Sequence, residues 1–183
     1  DAEDVQVSQD GVTFTCDFLD DGTAVVTKIV ADDGVTTVSV PLSLANNGKD
    51  YTVTGVRFPY GTKGSDVEQL VLPDTLQTMS GYCFWKLKKV KELTIPGSVT
   101  NFSCTLQNSN CLEKLTFSEG VEELSANMMV ANCGNLKEIV LPSTLKSISQ
   151  SGAFSDASAL ETINLPDGVE FGENVGGTFS DCS

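Results

Sequence analysis

The chain has 183 residues, of which 40% are hydrophobic, and this composition favours one domain with a continuous apolar core over a disordered chain. Aspartate and glutamate outnumber lysine and arginine by 25 to 11, histidine is absent, and the net charge is −14. Such a charge repels nucleic-acid phosphates and anionic lipids, and no apolar run approaches the roughly 20 residues of a transmembrane helix. We therefore expect no nucleic-acid partner and no membrane insertion of this chain.

The first 66 residues predict a β-rich cap. Within residues 11–30, alternating apolar positions flank Asp20, Asp21 and Gly22, and an Asp-Gly pair between alternating segments is a strong hairpin signal. An antiparallel hairpin at this point would cover the first open edge of any sheet that follows.

The rest of this cap is less regular. A second Asp-Asp-Gly at residues 32–34 predicts a turn rather than a calcium loop, because the spaced oxygen ligands of such a loop are missing. The phrase VTTVSVP from Val35 is a degenerate first repeat. Residues 41–66, rich in Gly, Asn, Asp and Ser, predict a looped insertion with one short strand, YTVTGVRF, from Tyr51.

One phrase then recurs from residue 67 onwards. It reads VEQLVLP, VKELTIP, LEKLTFS, LKEIVLP and LETINLP, and the copies begin at residues 67, 90, 112, 136 and 160, which are 22 to 24 residues apart. A fixed period in this range predicts a solenoid. In each copy the first, fourth and sixth residues are apolar and predict the buried face of a strand, while proline at the seventh position of most copies ends the strand.

Two further apolar pairs complete the repeat. One pair lies nine and twelve residues after each start, as in Leu145 and Ile148, and predicts a second buried segment after a corner. The other lies six and three residues before each start, as in Val130 and Cys133, and predicts a short helical turn. Residues 67–183 thus predict a right-handed, mainly β solenoid of about five and a half repeats, the last one truncated.

The repeat resembles that of the BspA-like leucine-rich repeat family, which reads approximately AFxxCxxLxxIxIPxxVxxIG. The resemblance is carried by GAFSDASALETINLP from Gly152 and by VANCGNLKEIVLPSTLKSI from Val130, and it covers about residues 12–183. The hairpin and the segment that leads to Pro41 are similar to the N-terminal region of that family. The resemblance implies a leucine-rich repeat fold in a secreted or surface-attached bacterial protein, and some family members act as adhesins.

Six cysteines, at positions 16, 83, 104, 111, 133 and 182, form no C-x-x-C pair. Cys133 and Cys182 occupy a repeat position that Leu87 and Ala157 fill elsewhere, so the position requires a small or apolar residue rather than sulfur. The sequence favours buried free thiols, and disulfides stay open for an exported protein. We expect no metal site and no cofactor.

The sequence lacks the usual parts of an active site. Without histidine no Ser-His-Asp or Cys-His arrangement can form, and no nucleotide-binding loop is present. The acids on the exposed strand positions, Glu92 and Glu138, are two repeats or about 10 Å apart at the usual strand spacing. This exceeds the ~6.5–9.5 Å of inverting glycosidases, so we expect no enzyme activity, and a carbohydrate-active enzyme is the minor alternative.

The third and fifth residues of the repeats form the candidate ligand face. They are Gln69, Val71, Glu92, Thr94, Lys114, Thr116, Glu138, Val140, Thr162 and Asn164. A mixed polar sheet face suits the docking of a protein or glycan. Because Glu92, Lys114 and Glu138 alternate in charge and no aromatic residue stands in these columns, cross-strand pairing explains the row more simply.

A second candidate site is a basic patch around the only tryptophan. It consists of Trp85, Lys86, Lys88, Lys89 and Lys91 in an otherwise acidic chain. The patch could contact an acidic partner with Trp85 as its anchor, but a solvated turn that offsets nearby carboxylates is the simpler interpretation.

Together these features predict a non-enzymatic protein at a bacterial surface that binds an extracellular protein or glycan, with adhesion to host matrix protein or other cells as its role. The alternative is a structural spacer within a larger surface protein. The chain begins at Asp1 without methionine and its last phrase, from Phe179, stops within a repeat. We therefore expect a removed leader and a longer parent protein.

Overall fold

The computed structural model describes residues 1–58, 62–82, 87–148 and 152–171, with the exception of the side chain of Phe58. Within these ranges the chain forms strands and turns, and no helix. The predicted short helical turns are single hydrogen-bonded turns. Residues with positive φ, such as Asn132 (φ 56°) and Asp156 (φ 58°), interrupt them before a second helical turn can form.

The N-terminal region is an antiparallel meander of three strands, β1 (Ala2–Gln9), β2 (Val12–Phe18) and β3 (Thr23–Ala31). The predicted hairpin turn at Asp20–Gly22 is confirmed, and the N–H of Gly22 donates to the carbonyl of Leu19 at 3.1 Å. β1 was not predicted, although Asp10 and Gly11, both at positive φ, form the tight turn that attaches it to β2.

Residues 41–58 and 62–66 are more ordered than the looped insertion that we predicted for this segment. Besides the expected strand at Tyr51, it contains β5 (Ser43–Asn46), which pairs antiparallel with β6 (Lys49–Phe58). The cause is an Asn47-Gly48 turn with φ of 52° and 78°, because this dipeptide readily adopts the mirror-image turn that suits a hairpin.

The repeats confirm the predicted solenoid. Each turn adds one strand to a larger and one to a smaller parallel sheet. The larger sheet continues from β3 through β6 into β8 (Thr78–Gly81), β10 (Asn101–Cys104), β12 (Glu123–Leu124), β14 (Ser147–Ile148) and β16 (Glu170–Phe171). The smaller sheet contains β4 (Thr37–Ser39), β7 (Gln69–Val71), β9 (Glu92–Ile95), β11 (Lys114–Phe117), β13 (Glu138–Val140) and β15 (Thr162–Ile163).

The core lies between the two sheets and the return legs, at the positions that the period predicts. Leu136 and Ile139 of the fourth repeat are at most 1% exposed, as are Val130 and Cys133 of its return leg. Phe102 of β10 and Phe117 of β11 meet edge to face across this core, with ring centroids 5.1 Å apart. The last repeat departs from the pattern, because its sixth residue, Leu165, is 42% exposed.

Candidate functional site

The ten residues of the candidate ligand face all point away from the core along the smaller sheet. Their side chains are exposed or half-buried, and register places Glu92, Lys114 and Glu138 side by side on β9, β11 and β13. In the described chain Lys114 forms an ion pair with Glu138 at 3.7 Å and none with Glu92. Cross-strand charge pairing therefore explains Lys114 and Glu138. Among the described residues it leaves the carboxylate of Glu92 without an ion-pair partner, so that this group can contact a ligand.

The smaller sheet is interrupted between β7 and β9. β4 pairs with β7, and β9, β11, β13 and β15 form a second ladder, but in the described residues no strand pairing joins β7 to β9. The larger sheet continues through the same repeats, since β6, β8 and β10 are paired in register. The solenoid is thus closed on one side and split on the other.

A cleft of about 970 Å³ occupies this split. One wall is β7 with its flanking residues, and the other is β9 with the residues before it. The cleft brings together four residues of the candidate ligand face with three lysines of the basic patch. These are Gln69, Val71, Glu92, Thr94, Lys88, Lys89 and Lys91.

The structure therefore joins two sites that the sequence analysis treated separately. Trp85 and Lys86, the other members of the basic patch, lie outside the described residues. Four members of the ligand face on β11 and β13, and Thr162 and Asn164 beyond them, lie outside the cleft lining.

Both signs of charge line the cleft. Lys89 is held by Asp66 at 3.1 Å, whereas Lys88 and Lys91 form no ion pair in the described part of the chain. The N–H of Gly34 donates to the Asp66 carboxylate at 2.8 Å, and this hydrogen bond together with Lys89 keeps the pKa of Asp66 below its usual value. Asp66 therefore stays ionised and fixes one lysine of the patch at the rim.

The carboxylates of the cleft lining are Glu68, Asp74 and Glu92. With Lys88 and Lys91 they form a mixed lining, in which cations and anions are both free to meet a ligand. Such a lining suits a partner that carries both signs better than it suits a uniform polyanion.

Cys111 is the cysteine among the described residues that line the cleft. Its thiol donates to the carbonyl of Leu87 at 3.4 Å, and partial burial raises its pKa, so it is a weak nucleophile.

The other cysteines that the structure describes lie away from the cleft lining. Cys16 and Cys133 are buried free thiols, as predicted, and burial raises the pKa of each to about 12. The prediction of free thiols is wrong for Cys104, which is disulfide-bonded. Cys83 and Cys182 lie outside the described residues.

A second surface groove was missed by the sequence analysis. Tyr82, which follows β8 and is 46% exposed, lies between two depressions of about 420 and 570 Å³ on the outer face of the larger sheet. The smaller depression is lined by Ser103, Gln107 and Asn127, among others, and none of the described residues that line it is charged. The sequence did contain a signal for this polar surface. In four of the repeats a serine lies thirteen residues after the start of the repeat, as Ser103 does.

The described residues contain no group of three or more His, Cys, Asp or Glu side chains that could hold a metal ion. In the same ranges no helix is long and apolar enough to span a membrane. The cleft offers charged, hydroxyl and main-chain groups that can contact a ligand.

Two solved structures share the fold along nearly the whole chain. A leucine-rich repeat protein from Eubacterium ventriosum is 20% identical, with a TM-score of 0.61 over 98% of this chain and 50% of that one. A leucine-rich cell surface protein from Faecalibacterium prausnitzii is 19% identical, with a TM-score of 0.56 over 98% of this chain and 53% of that one. This chain therefore spans about half the length of each.

No curated protein matches the chain in sequence. The family model of the BspA type leucine-rich repeat region matches residues 60–183 in six copies, which is more than half of the chain. The strand pairing found above follows the same period. The chain belongs to the BspA type leucine-rich repeat family.

Proposed function

We propose that this chain is a non-enzymatic binding domain of a bacterial cell-surface or secreted protein, and that its ligand is an extracellular protein. Adhesion to host matrix protein or to other cells is the role that we assign to this binding. The proposal rests on the cleft between β7 and β9, in which free cations and free carboxylates stand within one concave surface.

Three observations support the proposal. The cleft carries unpaired lysines although the chain as a whole has a net charge of −14. The Faecalibacterium protein of the same fold is a cell surface protein. The disulfide at Cys104 fits an oxidising compartment outside the cytoplasm.

The test is a charge reversal of the cleft. The variant Lys88→Glu/Lys91→Glu is compared with Lys63→Glu/Lys137→Glu, whose exposed lysines lie outside the cleft lining. Each substitution of lysine by glutamate lowers the net charge by two. Both double variants therefore change it by the same amount, from −14 to −18. General electrostatic repulsion is therefore matched between them.

Binding is measured by biolayer interferometry against immobilised fibronectin, laminin and collagen. We expect the wild-type chain to bind at least one of them, the cleft variant to bind roughly tenfold more weakly, and the control variant to bind within about twofold of the wild type. Equal losses in the two variants, or no binding to any of the three proteins, would contradict the proposal. A spacer, unlike a binding domain, would bind none.

A second candidate ligand is a neutral glycan in the groove beside Tyr82. An exposed aromatic ring can stack on a sugar, and the uncharged amides of Gln107 and Asn127 can hydrogen-bond its hydroxyls. The variant Tyr82→Ala is tested on an array of neutral oligosaccharides beside Leu42→Ala, which removes another exposed apolar side chain. Selective loss of binding in Tyr82→Ala would support this function, whereas absent or unchanged binding would reject it.

A further inference from the structure

Among the residues that the structure describes, no strand pairs with the facing edges of β7 and β9, so the main-chain groups on these edges are left without strand partners. In the neighbouring ladder, the N–H groups of Glu113 and Lys114 donate to the carbonyl of Lys91 at 2.7 and 3.1 Å. One repeat earlier, the equivalent donors are the N–H groups of Lys91 and Glu92, and the equivalent acceptor is the carbonyl of Glu68. In the described chain no hydrogen bond joins these groups.

The same register assigns further groups to the split. Because successive residues of a strand direct their main-chain groups to opposite edges, the N–H and C=O of Leu70 and of Thr94 face each other across it. Leu70 and Thr94 line the cleft, as do Glu68, Lys91 and Glu92. Each edge of the cleft therefore presents a row of main-chain donors and acceptors like those that form a ladder of hydrogen bonds with a neighbouring strand.

Unpaired main-chain groups along a strand edge are the complement of another extended polypeptide. We propose that the cleft takes up an extended segment of the partner protein as an additional parallel strand between β7 and β9. The smaller sheet would then be continuous from β4 to β15. This inference rests on the proposed function, for which it names the conformation of the bound ligand.

The surroundings specify the side chains of that segment. An inserted strand follows the pattern of the repeats, so every second side chain enters the core beside Leu70 and Leu93, which are 5% and 3% exposed. An acidic residue at the start of the segment lies beside the unpaired Lys88 and Lys91. The ligand is therefore an extended segment with alternating apolar residues, preceded by a carboxylate.

Binding requires the split to widen. Residues of β7 and β9 still approach within 8 Å between Cα atoms, whereas two strands that flank a third are about 10 Å apart. The larger sheet is paired without a break through β6, β8 and β10, so it forms the hinge about which the smaller sheet opens.

The first test uses a synthetic heptapeptide, LEKLTIS, which follows the repeat pattern and places a carboxylate beside Lys91 and an ammonium group beside Glu92. Its partner is the same peptide N-methylated at the central leucine and threonine, which keeps the side chains but removes main-chain donors. By isothermal titration calorimetry we expect the parent peptide to bind and the methylated peptide to bind roughly tenfold more weakly or not at all. Equal affinities, or no binding of the parent peptide, would overturn the inference.

The second test locks the split. Val71 and Thr94 are outward-facing neighbours across it, so the variant Val71→Cys/Thr94→Cys, made with Cys111→Ser, can close it by a disulfide. The control is Thr116→Cys/Val140→Cys with Cys111→Ser, which links β11 to β13 where they are already paired. We expect oxidation to abolish peptide binding in the first variant alone, and reduction to restore it.

A locked chain that binds the peptide as tightly as the control would overturn the inference. Hydrogen exchange tests the inference on the wild-type chain without any substitution. The peptide should protect the amides of Leu70, Lys91, Glu92 and Thr94 from exchange, and unchanged exchange of these amides would also overturn the inference.

Failure of the strand insertion can be distinguished from failure of the proposed function. If matrix-protein binding depends on Lys88 and Lys91 but the peptide does not bind, the function stands and the strand insertion fails.

Discussion

Gly97 and Gly120 lie in direct backbone contact at the same corner of two adjacent repeats. A Cβ atom added to Gly97 would overlap the carbonyl oxygen of Glu119, and one added to Gly120 would overlap the carbonyl oxygen of Gly97. Gly120 also has a φ of 115°, which L side chains rarely adopt. The stacking of these repeats therefore depends on two missing side chains.

The variant Gly97→Ala should lower the free energy of unfolding by about 1–3 kcal/mol, because the neighbouring main chain has to move. Urea unfolding followed by circular dichroism measures the change. Gly134→Ala is the matched control, since no atom lies within 4 Å of its added Cβ, and it should stay within about 0.5 kcal/mol of the wild type. Equal effects of the two variants would show that the close contact does not limit stacking.

The contact between Phe102 and Phe117 should contribute more than their separate burial. Both rings are at most 1% exposed and they join the two sheets edge to face. In a double-mutant cycle with Phe102→Leu and Phe117→Leu, we expect a coupling energy of about 0.5–1.5 kcal/mol. Additive losses in urea unfolding would mean that the two rings fill the core independently.

The charged row on the smaller sheet should contribute little to stability. Lys114 and Glu138 are 41% and 40% exposed, and the side chain of Glu92 is exposed as well. Changing all three residues to alanine should therefore alter the free energy of unfolding by less than about 1 kcal/mol. A larger loss that disappears in 1 M salt would instead indicate a tightly coupled charge network.

Acid should weaken the contacts of Asp66 and Glu119. The hydroxyl and the N–H of Ser143 donate to Glu119 at 2.7 and 2.9 Å and keep its pKa below the usual value, as Gly34 and Lys89 do for Asp66. Because each pKa is lower in the folded than in the unfolded chain, the stabilisation is complete above the unfolded values of about 4 and is lost as the pH falls through the folded ones.

Carbon-detected NMR titration should therefore give each of the two carboxyl groups a pKa below its value in the unfolded chain. In urea unfolding between about pH 7 and pH 3, the variant Glu119→Gln should lose less stability on acidification than the wild type does. A wild-type pKa of Glu119 at or above its ordinary value would contradict the assigned hydrogen bonds.

Alkylation should distinguish the three free thiols that the described residues contain, Cys16, Cys111 and Cys133. Cys111 is half-buried, whereas Cys16 and Cys133 are fully buried with a pKa of about 12. Under native conditions iodoacetamide should label Cys111 first, and in urea all three should react, as followed by mass spectrometry. A non-reduced digest should contain Cys104 within a disulfide. Faster labelling of Cys133 than of Cys111 would contradict the burial that the fold assigns.

The repeat architecture could be predicted because residues at equivalent positions of different repeats have similar burial. Val99, Val121 and Leu145 occupy one repeat position, and each is at most 3% exposed. The same reasoning placed the outward columns of Gln69 and Glu92 correctly. Where the local turn chemistry was overlooked, at Asn47-Gly48, a strand pair was missed.

The cleft was beyond such reasoning. The repeats from Val67 and Val90 look alike in sequence, and nothing in the third and fifth positions indicates that their strands fail to pair. Pairing depends on the distance between two successive turns, and the repeat pattern does not give that distance. Tyr82 was missed for a different reason: it lies between the repeat positions that we had assigned to the core and to the candidate face.

The passage from antiparallel to parallel pairing at β3 has a consequence for how this chain folds. β3 pairs antiparallel with β2 and parallel with β6, so one strand completes the local meander and starts the stack. The meander is built from close neighbours in sequence and can form early, while each later turn waits for 22 to 24 more residues and then docks on a finished edge. Folding can thus start at the N-terminal meander and proceed one turn at a time while the chain is still being synthesised.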